Sequence, residues 1–113
     1  MSPALPDVVL VLTTLPADAD GAAFARTLVE ERLAACVNVL PVMTSVYRWK
    51  GTIEQDREQQ LVIKTTAGRV GALKARVRAL HPYDVPELLV IPTREGSVDY
   101  LAWVVESVGI TGG

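Results

Sequence analysis

Glu54-Gln55-Asp56-Arg57-Glu58-Gln59-Gln60 is a run of seven polar residues that leads without a break into Leu61-Val62-Ile63-Lys64-Thr65-Thr66. The second segment is strand-like in its β-branched content, whereas propensity alone makes the first a loop or a helix. Upstream, residues 37–49 are rich in β-branched and aromatic side chains, with Tyr47 and Trp49 near their end, and Lys50-Gly51 offers a two-residue turn into Thr52-Ile53. Folding the polar run back as the return strand of that hairpin gives two strands of about a dozen residues, roughly 40 Å long at ~3.3 Å per residue. A domain of this length has a radius of gyration of about 13 Å and cannot cover such an arm. The polar run is therefore either a mobile loop or an arm that packs on another subunit.

The rest of the chain is easier to read. Residues 8–14 are rich in Val and Leu and too few for a helix of normal length, which predicts a central strand buried on both faces. Asp18 and Asp20 supply helix-capping chemistry, and Phe24, Ala25, Leu28, Val29 and Leu33 then recur at helical spacing, predicting a helix of about four turns. Pro41 has no amide donor, so the strand that contains it bulges or lies on an edge there. Val70, Leu73, Val77 and Leu80 form one helix stripe. Residues 87–91 read as a strand stopped by Pro92, and Val98, Leu101, Ala102, Val105 and Val108 as a last helix, with Asp99 in its first turn and Gly109 beyond its end. The order is βαββαβ plus a C-terminal helix. It predicts an α+β fold, an antiparallel sheet with helices on one face in the ferredoxin-like plan, as one domain over residues 1–113 with its core at about 8–108.

Composition excludes several classes. The apolar run at residues 8–12 is far too short to span a bilayer. Net charge is −2, from 11 basic and 13 acidic residues, which disfavours nucleic acid as a partner. Arg69, Lys74, Arg76 and Arg78 fall on a helical segment and read as a solvated face. The N-terminal residues lack a basic region and Cys36 is the only cysteine, so a cytoplasmic protein without an intrachain disulfide is expected.

His81-Pro82-Tyr83-Asp84-Val85-Pro86-Glu87 is the segment best suited to a ligand, because two prolines stiffen it around the chain's only histidine, an aromatic ring and carboxylates. His81 is a candidate metal ligand, or else a structural residue capping the preceding helix. Tyr83, Asp84 and Glu87, together with Lys64 or Glu58, are candidates to line a cleft between subunits. Tyr47, Trp49 and Trp103 are candidate subunit contacts, since large aromatics dominate interface energetics. Met43 reads as core filler, and Met1 lies too far from it in sequence to suggest a thioether site. No nucleophile-base pairing, phosphate-cradling glycine loop or His-x-x-x-His spacing occurs, so an enzyme is not expected.

Several blocks together resemble the CutA (divalent-cation tolerance) family. They are Glu31-Arg32-Leu33-Ala34-Ala35-Cys36-Val37-Asn38, Thr44-Ser45-Val46-Tyr47-Arg48-Trp49-Lys50-Gly51 with Ile53-Glu54, Lys64-Thr65-Thr66, the His81 to Glu87 segment, and Tyr100-Leu101-Ala102-Trp103. The resemblance implies a ferredoxin-like protomer in a tight homotrimer whose hairpin arms reach across to neighbours, and so favours the arm for the polar run. It also implies a role in tolerance of divalent metals, with copper binding through a first-strand cysteine and a His pair before the Pro-Tyr segment. Thr13 and Leu80 stand at two of those three positions and only His81 remains. A lone imidazole holds copper or another divalent cation weakly unless further donors converge on it. By fold analogy alone, a second reading is a signalling trimer similar to the nitrogen-regulatory PII proteins, binding a small anionic metabolite between subunits. A third is a trimeric scaffold for partner proteins.

Overall fold

The computed structural model describes residues 7–109; the N-terminal segment considered above for targeting, and Met1 with it, lies outside them. In chain order the elements are β1 (Val8–Pro16), α1 (Gly21–Glu30), β2 (Cys36–Val39), β3 (Met43–Trp49), β4 (Thr52–Thr66), a 3-10 turn at Ala67–Arg69, α2 (Val70–Leu80), β5 (Leu89–Pro92) and α3 (Val98–Val108). Every pairing is antiparallel. The strands run β2-β4-β1-β5, and β3 pairs with the remaining half of β4.

The polar run is strand. β4 is 15 residues long and changes partners along its length. From Glu58 to Thr66 it pairs with β1, and on its other side Leu61 to Lys64 pair with β2. Its first half pairs with β3, from Thr52↔Trp49 to Glu58↔Met43. Residues 52–57 and β3 therefore leave the body as a two-stranded arm, and the molecule measures 55 × 27 × 23 Å, with a radius of gyration of 15.4 Å. A compact domain of this length has about 13 Å. The hairpin does not hold one continuous strand from 37 to 49: Leu40-Pro41-Val42 interrupts it, as the missing amide of Pro41 requires. Lys50 and Gly51 both take positive φ at the tip, 50° and 81°, the backbone that a two-residue hairpin turn demands.

Alternation along β1 separates two packed layers. Val9 and Val11 join Leu28 of α1, Ile63 of β4 and Leu73 and Val77 of α2 in the main core. Val8, pointing the other way, packs with Ala35, Val104 and Val108. The C-terminal helix thus covers the opposite face of the sheet, which corrects the expectation of helices on one face only. Its buried stripe is also rotated from the predicted one: Val104 is fully buried, whereas Val98 is 72% exposed.

Two helix ends differ from their sequence patterns. α1 has ten residues rather than about four turns, because Arg32 takes φ 59° just past its end. Arg32 N–H donates to Val29 O and Leu33 N–H to Leu28 O, at 3.1 and 3.0 Å. This is a Schellman closure with arginine where glycine is usual, and the Leu33–Leu28 contact inside the core accompanies it. In α2 the stripe stops at Val77, and Leu80 is 38% exposed.

Candidate functional site

The period-2 alternation of the arm gives it two unlike faces. The β3–β4 register puts Met43 opposite Glu58, Ser45 opposite Asp56, and Tyr47 opposite Glu54, so these residues share one face; Val46, Arg48, Ile53 and Arg57 lie on the other. Where the first face meets the sheet, the segment 83–87 folds over to form a second wall. Between them lies a cleft of about 650 Å³, its walls including Tyr47, Trp49, Asp56, Glu58, Tyr83, Asp84 and Glu87.

Hydrogen bonds tie the two walls together. Tyr83 Oη donates to Glu58 Oε2 at 2.9 Å, and the side-chain amide of Gln60 donates to Glu87 Oε2 at 3.0 Å and to Thr13 O at 2.8 Å. Tyr47 Oη donates to Asp56 across the arm. Both phenols are held protonated. The bond to Asp56 is the main cause of pushing Tyr47 up to about 12, with burial and the nearby carboxylate charges adding to it. Tyr83 is raised above the ordinary phenol value first by burial, then by its bond to Glu58. The floor of the cleft is thus carboxylate oxygens held by neutral donors.

Four of the five residues anticipated from sequence, Glu58, Tyr83, Asp84 and Glu87, line this cleft. Lys64 does not. It is six residues farther along β4, opposite Leu10 and Cys36, about 20 Å away at the usual strand rise. Tyr47 and Trp49 are on the cleft wall and remain 40% and 45% exposed. Trp103 lies elsewhere, on the outer side of α3, with its ring 5.6 Å from that of Tyr100. Met43, read as core filler, is a half-buried wall residue, and Asp56, Ser45, Gln60 and Thr14 join the site unforeseen. Once β4 is known to be strand, alternation through 56, 58 and 60 identifies two of these.

His81 is 8% exposed and both ring nitrogens are engaged. Nδ1 accepts the Tyr83 N–H at 3.1 Å, which leaves Nε2 to donate to Thr14 O at 2.5 Å. Phe24 meets the ring edge-on at 6.4 Å and Tyr83 lies 4.9 Å away. The ring does not cap α2; the backbone N–H of His81 bonds Val77 O instead. The imidazole pins the proline-bounded segment to β1, and so positions one wall of the cleft.

A family model described as the CutA1 divalent ion tolerance protein matches residues 9–107. The chain belongs to this family. The divalent-cation tolerance protein CutA of Thermus thermophilus is 49% identical over 100 residues, covering 88% of this chain and 97% of that protein. A CutA homolog from Xenopus laevis is 50% identical over 91 residues; the match takes in 80% of this chain but 60% of that longer relative. Among solved structures, Cut A1 of Thermus thermophilus superposes with a TM-score of 0.86 at 48% identity, covering 90% of this chain and 99% of the other. Against this CutA1 background, the donor set for copper does not fit. Thr13 offers a buried hydroxyl, Leu80 an apolar chain, and His81 no spare nitrogen lone pair. Among the described residues no three His, Cys, Asp or Glu side chains converge on a metal-sized point.

Proposed function

We propose that this protein serves in divalent-cation tolerance as a non-catalytic cytoplasmic homotrimer, and that it holds copper or other divalent ions only weakly. The observation that carries the assembly is the arm. A two-stranded ribbon is marginal alone in water, and this one leaves Val46 and Ile53 65% and 59% exposed on the face away from the cleft. Edge strand β5 is likewise apolar and uncovered at Leu89, Val90 and Ile91, a liability that an isolated protein would blunt with charge or cover. A second copy of the chain is the simplest cover for both, and Tyr100 and Trp103 leave a further exposed aromatic pair on α3.

The alternative in which the cleft binds an anionic metabolite, as in PII-like signalling, is disfavoured by Asp56, Glu58, Asp84 and Glu87 on its walls, with no lysine or arginine among the lining residues. Nucleotides should give no thermal stabilisation. The scaffold reading shares the trimer but gives it partner proteins in place of a metal ion or other small ligand.

Two measurements test the proposal. Light scattering should give the mass of a trimer for the wild type and a smaller mass after deletion of residues 49–54; an unchanged mass in the deletion refutes the arm's role. Titration of the metal-free protein with Cu(II), Ni(II) and Zn(II) against a competing chelator should show weak uptake, unaltered by His81→Ala. Selective, saturable copper binding that this substitution abolishes would restore His81 as a ligand.

A further inference from the structure

We infer that the cleft at the base of the arm binds a small organic cation, an ammonium or guanidinium group carried on an apolar body. This goes beyond the metal-tolerance reading and stands on the cleft alone.

Charge is the first ground. Asp56, Glu58, Asp84 and Glu87 face the cleft, and the ion pairs among the described residues, Arg26–Glu30 and Arg76–Glu31, involve none of them. Glu58 is the most demanding. It is 8% exposed, and its recorded side-chain bond is to a neutral donor, the Tyr83 hydroxyl. A carboxylate removed from water without a counter-charge is unfavourable, and a bound cation offsets that cost.

The aromatic walls are the second ground. Tyr47, Trp49 and Tyr83 stand beside the carboxylates, and ring faces attract cations while covering their apolar substituents. The Trp49 ring already takes an ammonium in this way, with Lys50 Nζ 5.8 Å from its centroid. Phenol hydroxyls occupy one oxygen each on Asp56 and Glu58, which leaves the second oxygen of each carboxylate to accept from an ammonium or guanidinium N–H.

Size is the third. A volume of about 650 Å³ belongs to the range of small-molecule sites and far exceeds a bare ion. The absence of a converging metal-type donor cluster among the described residues agrees with this.

The test uses three probes that share a benzyl or phenyl body: benzyltrimethylammonium, benzyl alcohol and benzoate. Each is titrated calorimetrically into the full-length protein at constant ionic strength, and the mass of every sample is measured by light scattering. Benzyltrimethylammonium should bind saturably, with the alcohol and benzoate at least about tenfold weaker. Glu58→Gln, which keeps the acceptor for Tyr83, should weaken the cation about tenfold at unchanged mass. Glu87→Gln and Asp84→Asn, at two further carboxylates of the cleft, carry the same expectation, so a single variant that fails to fold leaves the test intact. Equal binding of benzyl alcohol would reduce the site to a hydrophobic cleft and overturn the proposal. So would benzoate binding, indifference to all three substitutions, displacement by stoichiometric Mg(II) or Cu(II), or no saturable binding of the cation, whatever the mass of the protein. A wrong mass with intact cation binding would count against the trimer and not against the site.

Discussion

The side chain of Gln59 lies directly over Gly21: a Cβ at position 21 would sit 2.6 Å from Gln59 Oε1 and 2.9 Å from a Val39 methyl. Gln59 cannot easily move aside. Its amide nitrogen donates to the carbonyls of Pro16, Ala17 and Ala19, at 3.1, 3.4 and 2.8 Å, holding the β1–α1 connection onto the sheet. Gly21→Ala should therefore destabilise by about 1–3 kcal/mol, in spite of the helix propensity that alanine adds. Urea denaturation measures it; a stability gain would mean that Gln59 yields freely.

Thr13 and Thr65 are both fully buried, and neither hydroxyl has a hydrogen-bond partner among the described residues. Thr13→Val keeps the shape and removes an unsatisfied polar group. It should raise stability by about 1 kcal/mol, read as a higher melting temperature with the assembly unchanged. A loss of similar size would show that the hydroxyl is satisfied in solution.

α3 has no basic residue in its last turn, and its terminal carbonyls are met from outside. Arg69 Nε donates to Val108 O at 2.9 Å and Arg32 to Ser107 O at 3.2 Å. These cations also oppose the negative end of the helix dipole. Arg69→Met should cost about 1–2 kcal/mol, and hydrogen exchange should quicken in α3 before the rest of the molecule. Uniform exchange throughout would argue against a local anchor.

The phenols of the cleft set an alkaline limit. Their folded-state values lie above the 10.0 of a free phenol, so the folded chain holds these protons more tightly than the unfolded one. The associated stability is complete below about pH 10 and is lost as pH climbs through the folded values. Phenolate absorbance should show Tyr47 titrating near 12, and Asp56→Ala should bring it back toward the ordinary value. No change on that substitution would mean that the hydrogen bond is absent.

Local patterns were sufficient for most elements. The Val-rich first strand, the Val70-Leu73-Val77 stripe and the capping of α1 by Asp20, whose carboxylate accepts the Ala23 N–H at 3.0 Å, follow from residues close in sequence. Distant partners decide where local propensity points elsewhere or leaves alternatives open. Glu54 to Gln60 is strand only because β3 and β1 supply the ladder. α1 stops at Glu30 because a Schellman closure buries Leu33 at the end of the core, although apolar spacing continues through it. Lys64, the alternative to Glu58 by residue type, is kept from the cleft because the register sets it six positions farther along β4. Met43 reads as core from sequence and lies on the cleft wall, because hydrophobicity cannot tell a wall from an interior.

By itself the sequence determined the order of elements, apart from the break that divides residues 37–49 into β2 and β3, the stiff histidine-containing connection and the family, since each depends on the chemistry of neighbouring residues or on their identities. Tertiary structure decided which face α3 covers, which residues of β4 look into the cleft, and that both nitrogens of His81 are already bonded. Those are properties of register and of contacts across the chain. A one-residue slip in strand pairing would turn Asp56 and Glu58 away from the cleft and bring Gln55 and Arg57 into it, with little change in local propensity.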